Sequence, residues 1–254
     1  MSQSKKLTNM NLELPMITLD IDWAPDWIID EVRSILADRE VKATWFVTHN
    51  TSAVDRLRDL SELFELGLHP NCLPNSTHGN TEEDILHHVK ELVPEAVSMR
   101  THGLYQSSDF LKKAAKDFGV KNDVSLILPG LHNLKPFQLK LGDVVLNRVP
   151  YFWEDDLEML DESPSWSLSD PKHHGPGLKV YNFHPVHIFF NSPDAKHYSE
   201  FEARGYDLSC LSPDDARNFV YRGQGPRKLF LELVAYLART GCSQRIRDLV
   251  EKQG

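Results

Sequence analysis

The alternation of strand-like and helix-like patterns is the feature that most constrains the fold of this chain. Residues 16–21 and 43–48 are short, mostly apolar runs that favour buried strands, whereas residues 26–37 and 54–66 place apolar side chains at helical spacing. Strands that alternate with amphipathic helices are typical of a parallel α/β sheet or barrel. The 254 residues fit one such barrel and suffice for a sizeable core.

The same alternation continues along the rest of the chain. Further strands are predicted at residues 67–69, 97–100, 120–128, 144–149 and 178–183, and further helices at 82–92, 108–117, 227–237 and 244–251. Residues 161–177 form a polar loop that we expect over a surface cleft. With no internal repeat or linker, residues 1–254 are predicted to form one catalytic domain, with 1–12 flexible and about 222–254 a helical cap.

Charge and hydropathy exclude several classes of partner. The net charge is −9 and the pI is about 5.7, which argues against nonspecific binding to nucleic acids or anionic membranes. No run reaches the roughly 18 apolar residues of a membrane span, and no secretory signal is recognised, so we expect a cytoplasmic protein. Cys72, Cys210 and Cys242 are too scattered for a zinc ribbon or a disulfide framework and are predicted to be reduced thiols. The sequence leaves the oligomeric state open.

Chemically active side chains recur where the predicted strands end. Asp20 and Asp22 end the first strand, His69 the third, Arg100 the fourth, and His184 follows the strand at 178–183. In barrels of parallel strands the catalytic groups lie at the carboxyl ends of the strands. We therefore expect these five side chains to share one site.

The types and spacing of these residues favour a metal site. A strand points both carboxylates of the pair Asp20 and Asp22 the same way, and they repel each other unless a cation or a shared proton intervenes. Helix capping is the alternative, but Asp26 is better placed for it. His69 and His78 border one polar loop, whereas a lone histidine is more often structural. Two neutral imidazoles and a carboxylate with an open position form the ligand set of a hydrolytic zinc site.

Five motifs resemble those of the polysaccharide deacetylases, the NodB-homology esterases of carbohydrate esterase family 4. They occur in the family's order over roughly residues 16–190, and order is harder to match by chance than any single motif. The closest resemblance is to a divergent branch associated with surface-polysaccharide biosynthesis. The motifs are Thr-Leu-Asp-Ile-Asp-Trp at 18–23, Lys-Ala-Thr-Trp-Phe-Val at 42–47, Glu-Leu-Gly-Leu-His-Pro at 65–70, Arg-Thr-His-Gly at 100–103 and Phe-His-Pro at 183–185.

The resemblance implies a single distorted (β/α)7-type barrel with a helical C-terminal cap, and a metal-dependent N-deacetylase that binds one divalent ion. Zn²⁺ is the expected ion, with Co²⁺, Mn²⁺, Ni²⁺ or Fe²⁺ as alternatives. Asp22 and His69 would be ligands. The family's second histidine stands four residues after the first, where this chain has Leu73, so His78 is predicted to replace it.

The catalytic roles also follow from the resemblance. Asp20 would be the general base and His184 the general acid that protonates the leaving amine. Arg100 would hold the base and would itself be tethered by an acid within residues 151–156, a loose match to the fourth motif. The usual Pro-aromatic pair after the arginine is replaced by His102 and Gly103, whose backbone N–H would stabilise the oxyanion.

The substrate implied is an N-acetylated amino sugar, small or lipid-linked. Its predicted contacts are His102, Gly103, Tyr151, Trp153, Asp155 and Asp156, with Trp166 as a further aromatic candidate. The other histidines, His87, His88, His173 and His174, are expected to be structural or solvated. The same is expected of His187, with a place in the site beside His184 as the alternative. Two alternatives stay open, namely an amidase for a non-sugar amide and a binding protein that has lost catalysis.

Overall fold

The computed structural model describes residues 13–203 and 212–251. Nine strands form one sheet in the order β6-β7-β5-β4-β3-β2-β1-β9-β8, and every pair is parallel except β6 with β7. The strands are β1 (Pro15–Asp20), β2 (Ala43–Val47), β3 (Phe64–Leu68), β4 (Ser98–Met99), β5 (Asn122–Asp123), β6 (Phe137–Leu141), β7 (Val144–Arg148), β8 (Trp153–Glu154) and β9 (Lys179–Phe183).

Helices connect and flank these strands. They are α1 (Asp26–Ala37), α2 (Ser52–Arg58), α3 (Glu82–Leu92), α4 (Ser108–Asp117), α5 (Asp155–Met159), α6 (Pro185–Phe190), α7 (Ala195–Glu202), α8 (Pro213–Arg217), α9 (Pro226–Thr240) and α10 (Ile246–Glu251). The predicted distorted α/β barrel with a helical C-terminal portion is confirmed as an open half-barrel. No helix in the described ranges is both long and apolar enough to cross a membrane.

The central strands β1, β2, β3 and β9 are buried along their whole length, which explains their continuous apolar sequences. Their register aligns the ends of the strands: Leu19 pairs with Phe183, Val47 with Leu68, and Leu68 with Met99. The residue after each strand therefore lies at the same edge of the sheet.

One predicted helix is too long. The chain was expected to stay helical over residues 54–66, but α2 ends at Arg58 and β3 begins at Phe64. Leu57, Leu60 and Leu63 have helical spacing, yet Phe64 and Leu66 also alternate with period two. The pairing of β3 with β2 on one side and β4 on the other selects the strand. The short α6 and α7 and the antiparallel β6 were not predicted.

The C-terminal cap packs on the amino ends of the strands. Ile246 donates its backbone N–H to Thr44 Oγ1 at 2.9 Å, and Arg247 donates its backbone N–H to Glu65 Oε2 at 2.9 Å. Thr44 and Glu65 are paired residues near the starts of β2 and β3. These contacts place α10, the last helix of the cap, at the amino ends of β2 and β3, opposite their carboxyl ends. The segments predicted at residues 1–12 and 252–254, and Cys210, lie outside the described residues, while Cys72 and Cys242 are free thiols.

Candidate active site

Four of the predicted residues meet at the carboxyl ends of neighbouring strands. Asp20 is the last residue of β1, and His69, Arg100 and His184 directly follow β3, β4 and β9. A cavity of about 260 Å³ lies between them. Its lining consists of Asp20, Asp22, His69, Thr101, His102, Gly103, Leu104, Glu154, Asp156, Leu157 and His184.

Asp20 is held by a buried polar network. Arg100 Nη1 donates to Asp20 Oδ1 at 3.0 Å, and Asn182 Nδ2 donates to Asp20 Oδ2 at 2.9 Å. Arg100 also donates to Asn182 Oδ1, and its guanidinium lies 4.4 Å from the centre of the Tyr151 ring. Both carboxylate oxygens are therefore oriented by donors, as expected for a base with a fixed direction of attack.

The tether of Arg100 differs from the expectation. Residues 151–156 were expected to supply an acid that binds the guanidinium, but the amide of Asn182 lies between them. Asn182 Nδ2 donates to Glu154 Oε1 at 3.0 Å as well as to Asp20. Burial raises the pKa of Glu154 to about 7, with the Asp20 charge adding to the rise and His184 opposing it. Glu154 lies within the range in which an acid was expected, whereas Asn182 was missed; an amide inside an apolar strand was the available signal.

His69 and Asp22 face each other in a way that needs a positive charge. His69 Nδ1 lies 2.7 Å from the backbone oxygen of Arg100, so it carries the proton, and Nε2 lies 3.1 Å from Asp22 Oδ1. Both of these facing atoms are buried without a hydrogen-bond partner. Burial lowers the pKa of His69, but the carboxylates of Asp20 and Asp22 outweigh it and raise the pKa. A proton or a metal ion at Nε2 would relieve the repulsion between the two lone pairs.

Asp22 lies just beyond the strand rather than in it. Its φ of 34° places it in the left-handed region, so the two-residue period of β1 stops at Asp20. The other oxygen of Asp22, Oδ2, is 3.3 Å from His102 Nδ1 and 3.4 Å from His184 Nε2. One ligand atom each from Asp22, His69 and His102 lies within 4.8 Å of the others, a group that could hold a metal ion.

His78 lies outside this group. Its Nδ1 accepts the backbone N–H of Asn71 at 3.1 Å, and its ring stacks on His88 with 4.9 Å between centroids. Burial, together with the neighbouring His88, lowers the pKa of His78 to about 4. The structure thus brings His102, and not His78, next to Asp22 and His69.

His184 is oriented by the acids that follow β8. Asp155 Oδ1 lies 2.7 Å from His184 Nδ1, and Asp155 Oδ2 accepts the backbone N–H of His184 at 2.8 Å. Burial lowers the pKa of His184, but Asp156 and Asp155 outweigh it and hold the pKa well above its usual value. Asp156 also lies 2.8 Å from His187 Nε2, so His187 borders the site instead of being merely structural. Asp155 is fully buried against His184 and, contrary to the prediction, has no surface to offer a substrate.

The aromatic residues predicted as a sugar platform are buried. Tyr151 packs on Arg100, Trp153 Nε1 donates to Glu158, and Trp166 Nε1 donates to a backbone oxygen, so none exposes a ring face. Trp23 is 36% exposed and its ring centroid lies 5.2 Å from that of His102. The sequence signal was present, because Trp23 directly follows the aspartate pair.

Two larger cavities flank the site. One of about 400 Å³ borders Asp156, His187 and Tyr198, and the other of about 550 Å³ borders Trp23 and Trp27. The first is lined mainly by residues that follow β8 and β9, and the second by residues that follow β1 and β2. The predicted loop at 161–177 contributes to neither cavity, and its His173 is fully buried instead of solvated.

Known structures resemble this one. A crystal structure from Bordetella bronchiseptica, named as a polysaccharide deacetylase involved in O-antigen biosynthesis, is 30% identical, covers 87% of this chain and 89% of its own, and has a TM-score of 0.77. A peptidoglycan N-acetylglucosamine deacetylase is 13% identical, with coverage of 94% and 89% and a TM-score of 0.49. The peptidoglycan deacetylase PdaC from Bacillus subtilis is 11% identical, with coverage of 96% and 92% and a TM-score of 0.47. The last two similarities are too distant to bear on the function of this chain.

A search of curated protein sequences found none that matches. A family profile for WbmS-like polysaccharide deacetylases, in contrast, matches residues 17–202. That range contains Asp20, Asp22, His69, Arg100 and His184. The match and the 30% identity over 87% of the chain agree on one family. This chain belongs to the WbmS-like polysaccharide deacetylases.

Proposed function

We propose that this protein is a metal-dependent hydrolase that removes the N-acetyl group from an amino sugar during the synthesis of a surface polysaccharide. The observation that carries the proposal is the contact between His69 Nε2 and Asp22 Oδ1 at 3.1 Å. Two buried lone-pair atoms face each other there, beside an oriented carboxylate and an oriented imidazole. Family membership and the O-antigen relative support this reaction class.

The residues present fit a divalent ion. His69 Nδ1 contacts the backbone oxygen of Arg100, and such an outer contact fixes the tautomer of a ligating histidine. Asp22 and His69 would hold the ion together with a second histidine. Zn²⁺ suits this donor set, and Co²⁺, Mn²⁺, Ni²⁺ or Fe²⁺ could take its place. When bound, the ion would polarise the acetamide carbonyl and increase the acidity of the attacking water.

The chain's own residues would move the protons. Asp20, with both oxygens oriented by Arg100 and Asn182, accepts a proton from water as the water oxygen bonds to the carbonyl carbon. Gly103 lines the cavity, and its backbone N–H would stabilise the oxyanion. His184 Nε2 then donates a proton to the nitrogen as the C–N bond breaks, which yields acetate and a free amine.

The cavities support a sugar as substrate. Trp23 offers the exposed ring that Tyr151, Trp153 and Trp166 do not, and aromatic faces pack well on the apolar face of a sugar. Asp156, whose side chain is 50% exposed, is the acid available to a sugar hydroxyl or amine. A small or lipid-linked N-acetylated amino sugar fits these contacts. The cytoplasmic location stays a prediction.

Acetate release tests the proposal. The zinc-loaded protein, the same protein treated with a chelator, and an Asp20→Asn variant are incubated with nucleotide-linked and lipid-linked N-acetylated amino sugars. We expect the zinc-loaded parent to release acetate and the other two to release little or none. A parent that binds no divalent ion, or equal acetate release from parent and variant, would contradict the proposal.

A further inference from the structure

We infer that His102, from the loop after β4, is the second histidine ligand of the metal site, and that His78 is not a ligand. This rests on the proposed metal-dependent function and specifies its ligand set. The resemblance to known deacetylases pointed to a histidine on the loop after β3. The geometry points instead to a ligand that has moved to the neighbouring loop.

The position of His102 matches that of a ligand. Its Nδ1 lies 3.3 Å from Asp22 Oδ2, and its ring meets the His69 ring edge-on with 5.5 Å between centroids. His102 lines the 260 Å³ cavity together with Asp22 and His69, whereas His78 does not. Two imidazoles and one carboxylate thus converge from three separate loops.

The turn that carries His102 is held in place. His102 donates its backbone N–H to the oxygen of Pro70 at 3.0 Å, which ties the loop after β4 to the loop after β3. Thr101 donates its backbone N–H to Ser125 Oγ at 3.0 Å. Leu104 closes the turn by donating its backbone N–H to the backbone oxygen of Thr101 at 3.1 Å. A ligand on a fixed backbone loses little conformational freedom when it binds.

Leu73, which stands where the family usually has its second histidine, supports this turn. Gly103 has a φ of 60°, and a Cβ added to it would lie 3.1 Å from Leu73 Cδ1. The leucine side chain therefore packs against the bare backbone of Gly103, next to His102. Position 73 therefore supplies an apolar contact beside His102 and no metal ligand.

The hydrogen bond of His78 makes it a poor ligand. Because His78 Nδ1 accepts the N–H of Asn71, the proton of the neutral ring is on Nε2, and neither nitrogen has a free lone pair for a cation. His69 has the opposite arrangement, with Nδ1 protonated and Nε2 facing the cavity. His78 instead packs between His88 and Trp23.

Zinc affinity of single variants tests the inference. Zinc Kd is measured for the parent, His102→Ala, His78→Ala and His87→Ala, the last being an exposed histidine of α3 as matched control. Loss of a residue that hydrogen-bonds to a metal ligand lowers metal affinity about 10–100-fold, so loss of the ligand itself should lower it by more than about 100-fold. We expect that loss in His102→Ala, and a change below about tenfold in the other two variants.

A spectroscopic measurement separates ligation from structural damage. In His102→Cys and His78→Cys loaded with Co²⁺, a thiolate bound to the metal produces a charge-transfer band in the near ultraviolet. We expect the band in His102→Cys and its absence in His78→Cys. The reverse pattern, or parent-like zinc affinity in His102→Ala with a large loss in His78→Ala, would overturn the inference but leave the proposed function intact. A parent that binds neither zinc nor cobalt would instead refute the proposed function.

Discussion

Two buried carboxylate clusters lie at opposite ends of the same strands and differ in how far their polar atoms are satisfied. At the amino ends, Glu65 accepts Ser98 Oγ at 2.6 Å, Thr44 Oγ1 at 2.9 Å and the backbone N–H of Arg247 at 2.9 Å. Its two oxygens thus receive three donors, one of which comes from the C-terminal cap. Burial raises the pKa of Glu65, while these donors oppose the rise.

At the carboxyl ends the cluster is incomplete. The side-chain atoms of the site that are buried there without a hydrogen-bond partner are Asp22 Oδ1, His69 Nε2, Arg100 Nη2 and Thr101 Oγ1. Glu65 and His69 are only four residues apart, about 13 Å along a strand at 3.3 Å per residue. The same strand therefore carries a closed cluster at one end, in which both oxygens of the carboxylate are paired although Arg247 Nε is not, and an open one at the other.

This difference separates a structural site from a functional one. An unsatisfied buried polar group costs about 1–3 kcal/mol, so several of them together around a cavity indicate a place where a ligand or substrate completes them. The cluster around Glu65 should govern stability and leave chemistry unaffected. The cluster around Asp20 and Asp22 should govern chemistry, with a smaller share in stability.

Replacement of the base should give the largest effect. In Asp20→Asn, proton removal from water is lost, so we expect kcat to fall about 10²–10⁴-fold, the usual contribution of a general base. Zinc content should stay at the parent level, because Asp20 is bound by Arg100 and Asn182. Initial rates of acetate release and metal analysis of the same sample check both. Loss of the metal along with activity would place Asp20 among the ligands.

Disruption of the closed cluster should lower stability with little change in catalysis. Glu65→Ala leaves the donors of Thr44, Ser98 and Arg247 without an acceptor, at a cost of about 1–3 kcal/mol each if they stay buried. We expect unfolding free energy to fall by about 3 kcal/mol in urea melts, while zinc affinity stays unchanged. Glu65→Gln, which keeps one acceptor, should lose less. If both variants were as stable as the parent, the pairing of the Glu65 oxygens would not contribute to stability, and the two clusters would not differ in this respect.

Removal of a charge beside the acid should shift a pH profile. Asp156 helps hold the pKa of His184 above its usual value, so Asp156→Asn should lower that pKa. His184 acts in its protonated form, so the basic limb of kcat/KM should move to lower pH, by less than about one unit because Asp156 is half exposed. Glu162→Gln, an exposed acid on the next loop, is the control. A shift to higher pH would contradict the role of Asp156.

The sequence predicted the strand ends better than the strand lengths. Asp20, His69, Arg100 and His184 could be placed together because parallel strands align their carboxyl ends, whatever the lengths of the connections. The boundary between α2 and β3 could not be placed, because Leu57, Leu60 and Leu63 fit a helix until pairing with β2 is known.

The choice between His78 and His102 likewise depended on three-dimensional contacts. Nothing in the spacing shows that the backbone of His102 is tied to Pro70 or that Leu73 packs on Gly103. Asn182 was in principle recognisable, since a polar side chain inside an apolar strand needs partners. Its partners Asp20 and Glu154, in contrast, come from strands that are distant in sequence.

The smallest effect that we predict is the loss of a helix cap outside both clusters, which gives a reference value for the changes in stability. Thr81 caps α3 by accepting the N–H of Asp84 at 3.1 Å, and Asp84 accepts the N–H of Thr81 at 3.2 Å. Thr81→Ala should cost about 1 kcal/mol and lower Tm by about 2–4 °C. Thr51 caps α2 through a longer contact of 3.5 Å, so Thr51→Ala should cost less.

Thermal melts with zinc titrations of both variants complete this calibration. Thr81 follows the loop that carries His78, so Thr81→Ala should loosen that loop at its end. If His102 is the ligand, zinc affinity in Thr81→Ala should stay within about tenfold of the parent, below the effect of losing a ligand. A loss beyond that would mean that the metal depends on the His78 loop. The open cluster would then include the loop before α3 as well as the carboxyl ends of the strands. It could then no longer be compared with the cluster around Glu65 as simply the other end of the same strand.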